Sequence, residues 1–173
     1  MQAVDLREAL LNTKAKADAL AIVAWVNNEE RHFASLMKLF LEEEYRVVQK
    51  AAWIMSIIAE KRPQLLAPHL EKMIVKMQET GIPVAVKRNV VRILQNIELP
   101  ETLHGPVMNV CFDLLADVRE TVAVRAFSMT VLGNLAKHYP EINNELRAII
   151  EDGLEHNPTP GFRSRAMKIL KGL

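Results

Sequence analysis

The sequence predicts an all-α fold: a string of about five helical hairpins and no strands. Two observations carry this reading. Similar phrases recur at a constant interval, and within each phrase the apolar residues fall at helical spacing with no strict alternation. The clearest pair is "VAVKRNVVRILQNIE" starting at Val84 and "VAVRAFSMTVLGNLA" starting at Val122. The same register extends in both directions, so that Val48, Val86, Val124 and Phe162 form one evenly spaced column and Gln49, Lys87, Arg125 and Arg163 the next. Counted from the Gln49 column, small or apolar columns lie at steps of three, six, seven and ten, which is the stripe of an amphipathic helix.

Each element follows from this register. A looser first copy, "KADALAIVAWV" at Lys16–Val26, stands closer to its successor than the later copies stand to theirs, so the first unit is expected to be shorter or irregular. The segments between the phrases repeat as well. Leu70, Met108 and Leu146 align, as do Met73, Cys111, Ile149 and Ile74, Phe112, Ile150, and these segments are predicted helices too. Pro63, Pro100 and Pro140 each follow one helix and open the next, where the missing N–H costs little, and Pro160 does so before the last helix. Polar turns such as "EEEY", "ETGIP" and "EHNPTPG" join the two helices of a hairpin. The predicted units are 1–27, 28–60, 61–98, 99–138 and 139–173, within a single domain over residues 1–173.

These residues resemble the HEAT repeat family, whose paired helices A and B stack into a curved solenoid. Family members place a proline within helix A, and Pro68 and Pro106 sit one repeat apart here. Members also open helix B with valine, a basic residue, and a small or apolar residue three further on. Val86-Lys87 with Val90 and Val124-Arg125 with Ser128 match, and Phe162-Arg163 with Ala166 matches in part. Two features depart from the pattern. The aligned acids Glu79, Asp117 and Glu155 stand eight residues before Lys87, Arg125 and Arg163, where the family usually has about six, and the last helix A has Asn144 in place of the proline. The resemblance implies a right-handed α-α superhelix, a HEAT-like solenoid, and carries no common catalytic chemistry.

Composition narrows the function classes. Twenty-two Lys and Arg against 21 Asp and Glu leave a net charge of +1, too little for an overall field that attracts nucleic acid or acidic membranes. Cys111 is the lone cysteine, which excludes an internal disulfide framework and a multi-cysteine zinc site and fits a reducing, cytoplasmic location. No apolar run approaches the ~20 residues that span a bilayer. Residues 1–11 carry Asp5, Arg7 and Glu8 where a secretory leader would be apolar.

Solenoid units stack to leave an extended curved surface, usually lined by the B helices. At 100° per residue, positions one, five and eight of the stripe point away from the core. They hold Lys50, Ile54 and Ile57, then Arg88, Arg92 and Gln95, then Ala126, Thr130 and Gly133, then Ser164, Lys168 and Lys171. The column Lys87, Arg125, Arg163 lies nearer the flank and is expected to make salt-bridge or carbonyl contacts at the stack. Trp53 aligns with Val91, Met129 and Met167 and is expected at the core's edge with its indole N–H partnered. With Ile54 and Ile57 it makes helix B of the second unit apolar almost all round. Either the N-terminal segment covers this helix or a partner docks on it. Met167, Ile169, Leu170 and Leu173 form an uncapped terminal stripe, which raises self-association as a hypothesis.

No catalytic, cofactor-binding or metal-binding residue is assigned. His32, His69, His104, His138 and His156 are scattered, Asp152 with His156 falls short of a metal site, and Cys111 lies in an apolar column as an inert thiol. Glycine-rich phosphate loops, nucleophile elbows and two-histidine zinc signatures are absent from the sequence. The resulting expectation is a non-catalytic interaction scaffold that binds a protein or peptide on its concave face. Trp53, Ile54 and Ile57 would be apolar anchors, and Arg88 and Arg92 polar orienters. The alternative is a nucleic-acid-binding solenoid resembling the alkylpurine DNA glycosylases, with Lys50, Arg88, Arg92, Lys168 and Lys171 on phosphate. A weaker resemblance is to the helical-repeat subunits of phycobilin lyases, whose repeats are usually shorter.

Overall fold

The computed structural model describes residues 5–27, 29–156 and 159–173, and it contains ten α-helices and no strand among them. In chain order these are α1 (Leu6–Asn12), α2 (Lys16–Val26), α3 (Glu30–Glu42), α4 (Tyr45–Lys61), α5 (Leu70–Lys76), α6 (Val84–Leu94), α7 (Glu101–Ala116), α8 (Val122–Leu135), α9 (Asn143–His156) and α10 (Pro160–Leu170). In chain order they alternate as the A and B helices of five successive repeats, and α1, of only seven residues, makes the first repeat short.

The helix starts show why the repeats fold locally as they do. Thr121 and Thr159, at equivalent positions of successive repeats, cap α8 and α10 by accepting the backbone N–H of Val124 and Phe162. A threonine cap is worth about 1 kcal/mol because it satisfies one of the donors a helix start leaves open. Before α2, the Asp18 carboxylate accepts the N–H groups of Lys14 and Ala15, both at 2.9 Å. Those bonds hold its pKa below the usual carboxylate value. The turn before α6 uses Gly81 at φ +77°, a conformation that a side chain would strain.

The prolines act unequally. Pro106 lies inside α7, where it forgoes one bond toward the exposed Thr102. Pro68 does not lie inside a continuous helix A. With Pro63 shortly before it, it leaves the chain as two 3-10 turns, Pro63–Leu65 and Ala67–His69, and shortens α5 to seven residues. Proline disfavours the α conformation in the residue before it, so the helix begins only after this segment.

The chain divides into two compact units, Met1–Asn96 and Ile97–Leu173. In the first, the B helices α2, α4 and α6 stack side by side, with α4 in the middle, and the A helices α1, α3 and α5 stack beside them. In the second, α8 packs on α7 and α10, while α7 and α9 form the A layer. The marker column is the heart of each unit: Val48, Val86, Val124 and Phe162 are all 2% exposed or less. Each such burial contributes about 1.5–3 kcal/mol. The stripe columns are buried through α4 and α8, whereas Ile169, Leu170 and Leu173 at the end of the chain are half-buried. Among the described residues no helix is long and apolar enough to cross a membrane.

Candidate functional site

Helix α4 is surrounded by α1, α2, α3 and α6, and this packing corrects the sequence expectation for Ile54. Expected to point outward as an anchor, Ile54 is completely buried. The first hairpin covers α4 and takes up the excess apolar surface, so Ile54 belongs to the core and not to a docking face. Ile57 and Trp53, one helical turn apart, remain half-exposed on the α4 surface. The same arithmetic misplaced Ala126, which is 8% exposed, and Gly133, which packs against Ile169. A strict 100° step treats one side of the helix as open, but α4 has α2 and α6 on its flanks and α8 has α10 against it.

The basic candidates separate in the same way. Arg88 is exposed on α6 and has no ion pair among the described residues. Arg92, one turn along, pairs with Glu60 of α4. Lys50 donates to the Thr13 carbonyl at 2.6 Å and lies 5.7 Å from the centroid of the Trp53 ring. At the chain's end Ser164, Lys168 and Lys171 are exposed, as is Met167 at 58%.

Between α4 and α6 these side chains enclose a small polar pocket of about 130 Å³. Gln49, Lys50 and Trp53 line it from α4, and Ala85, Arg88 and Asn89 from α6. Asn89 is 2% exposed, and its Nδ2 has no hydrogen-bond partner. Sequence reasoning passed over Asn89 and Gln49. The signal for Asn89 is weak: it sits between the core positions Val86 and Val90, and the equivalent residues of the other copies are Ala51, Phe127 and Arg165.

The flank column divides by position. Arg125 is 4% exposed and donates from Nε to the Leu115 carbonyl at 2.8 Å, the carbonyl contact expected of it. Burial lowers its pKa from the ordinary arginine value, though the guanidinium stays charged at any physiological pH. Arg163 is exposed and takes no such place. Of the aligned acids, Glu79 pairs with Lys76 at 2.8 Å and Asp117 with Arg119 at 2.9 Å.

The reactive residue types sit apart. Burial pushes the Cys111 thiol up to about 12, with the Ser128 hydroxyl facing it. His32 stacks on Trp25 at 3.6 Å and bonds the Trp25 carbonyl. His104 spans Tyr139 Oη and the Leu99 carbonyl, each at 3.0 Å. The exposed His156 is held by Asp152, and among the described residues no three His, Cys, Asp or Glu side chains gather as metal ligands.

The sequence matches the HEAT repeat domain over residues 6–173, which is nearly the whole chain. The chain belongs to the HEAT repeat family. No curated protein and no solved structure matches it significantly. In this HEAT repeat protein the B helices α4 and α6 thus carry the partly open pocket and its cationic rim, and HEAT repeats commonly mediate protein–protein interaction.

Proposed function

We propose that this HEAT repeat protein is a non-catalytic scaffold in a cytoplasmic setting, binding a protein or peptide partner along its B-helix face, the concave surface expected of such a solenoid. The carrying observation is the juxtaposition of the half-exposed Trp53 on α4 with the exposed Arg88 on α6 around one pocket, with Ile57 one turn along α4. Aromatic and arginine side chains concentrate binding energy at interfaces, because they bury large area at a fixed geometry. Arg92, already neutralised by Glu60, sets the edge of the patch.

Three observations support this reading over nucleic-acid binding. Lys50 is engaged with a backbone carbonyl, Arg92 with a carboxylate, and the equivalent position of α8 holds the buried, uncharged Ala126. A backbone-tracking groove needs successive free cations. The exposed Met167 on α10 supports self-association as a further part of the proposal, which sedimentation across a concentration series decides.

The direct test is affinity capture from lysate of the source organism, comparing wild type with a Trp53→Ala, Arg88→Glu variant shown to be folded by circular dichroism. A protein retained by the wild type and lost from the variant supports the scaffold reading. Unchanged capture contradicts the assigned face, and recovery of only nucleic acid, released by salt, favours the alternative.

A further inference from the structure

Among the buried side-chain polar atoms without a hydrogen-bond partner, Asn89 Nδ2 is the one amide donor among the described residues. A buried N–H donor without a partner costs about 1–3 kcal/mol, and buried polar groups in folded proteins are nearly always satisfied. Asn89 is 2% exposed, its Nδ2 has no partner, and it stands among the buried valines, isoleucine and leucine of α6. The residue nevertheless lines a pocket, whose other polar lining comes from Arg88, Lys50 and Gln49. Arg88 brings a positive charge with no ion pair among the described residues, and Lys50 has spent one of its three donors on the Thr13 carbonyl. No carboxylate lines the pocket. Of the acids in the same unit, Glu60 pairs with Arg92, and Asp18 bonds the backbone of Lys14 and Ala15 while its charge also reaches Lys50, which leaves Arg88 as the lining cation without an ion pair among the described residues.

A lining of amide and cationic donors recognises an acceptor that carries negative charge. The pocket is small, at about 130 Å³. A carboxylate with its neighbouring methylenes is on the scale of such a pocket. The Trp53 ring supplies an apolar wall for those methylenes, and Ile57 lies one turn beyond it along α4. We infer that this pocket binds the side-chain carboxylate of an acidic peptide partner, with Asn89 Nδ2 and Arg88 as its donors and Trp53 as the platform. The inference rests on the protein-partner reading above and specifies the chemistry of that partner. Because the Asn89 amide is covered in the unbound chain, binding requires the flexible rim side chains Gln49, Lys50 and Arg88 to shift.

The test is a nuclear magnetic resonance titration of the isotope-labelled full chain, following the Asn89 side-chain amide and the Trp53 indole. The probes are the capped peptide acetyl-Leu-Glu-Leu-amide, its Gln counterpart, and inorganic phosphate. The expected result is a saturable shift of both reporters with the Glu peptide, at least about tenfold weaker binding of the Gln peptide and of phosphate, and a similar loss in Asn89→Leu. Equal binding of the Glu and Gln peptides, or no saturable shift, overturns the inference even if the variant fails to fold, because both arms use wild type. Phosphate binding as tightly as the Glu peptide overturns it in favour of a general anion site. Partner capture that needs Trp53 and Arg88 but survives Asn89→Leu also overturns it, while leaving the scaffold reading intact.

Discussion

Arg125 lays its guanidinium over the ring of Phe162 at 4.6 Å while its Nε bonds the Leu115 carbonyl, tying α8 to both α10 and α7. The ring of Phe162 is pressed against Gly153 of α9, so that four helices meet at one cluster. A charge-assisted bond contributes about 1.5–3 kcal/mol, and a desolvated cation–π contact up to about 2 kcal/mol.

Arg125→Ala is therefore expected to destabilise the fold by at least about 2 kcal/mol in denaturant unfolding, and Arg125→Lys to recover little, since lysine cannot present the planar fork. Arg163→Ala, at the exposed equivalent position, should stay within about 0.5 kcal/mol. Similar losses at both positions would show that the cluster is not what holds α8 in place.

Gly153→Ala tests the same cluster from the opposite side. A Cβ there would stand 2.6 Å from Phe162 Cζ, closer than such atoms approach. The overpacking cost of about 1–3 kcal/mol should exceed the roughly 1 kcal/mol that alanine gains over glycine in a helix. Thermal unfolding should show a lower Tm. A raised Tm would mean that the ring moves aside freely.

Much of this architecture was legible in the sequence, and the part that was not has a physical cause. The repeat register located Met55, Ile93 and Val131, and with them Leu94 and Leu132, in the core because a buried stripe repeats wherever the same neighbours repeat. Ile54 and Ala126 escaped it because flank burial depends on which helices pack alongside, and that is a tertiary fact. Pro68 escaped because its effect depends on Pro63 nearby. Within the candidate site, the surface positions of Ile57 and Arg88 follow from the helical stripe, whereas the burial of Asn89 next to the exposed Arg88 depends on how α6 packs against α4.

Asn89→Leu should raise the stability of the free protein. It removes an unsatisfied buried donor and substitutes a better helix former, for a gain of about 1 kcal/mol and about 2–4 °C in Tm. A residue kept for structure would lower Tm when replaced, so a fall of several degrees would count against a ligand role for the amide.

Cys111 should be inert in the native state. With its thiol pushed up to about 12 and its side chain buried, almost no thiolate exists at neutral pH. Iodoacetamide should label it only once denaturant unfolds the chain, at a rate that follows the unfolded population. Rapid labelling of folded protein would contradict the packing of α7.

Two histidines should give opposite pH signatures. Burial, then the charge of Lys72, lowers the pKa of His69 below the ordinary 6.5, so its contribution to stability is present above that value and lost as pH falls through the folded pKa. Bonding to the Asp152 carbonyl, then the Asp152 charge, raises His156, so its contribution is present below 6.5 and lost as pH rises through the folded pKa. Proton NMR titration should place the His69 midpoint below that of His156. The reverse order would contradict both environments.

The B-helix face itself is tested most directly by site-specific photo-crosslinking in the source organism. A benzophenone side chain would replace Ile57 on α4 in one variant and Val75, which is 60% exposed on the A helix α5, in another. The proposed binding mode predicts a discrete protein adduct from position 57, abolished by Arg88→Glu, and none from position 75. An adduct from position 75 alone, or one from position 57 that is indifferent to Arg88, would contradict it.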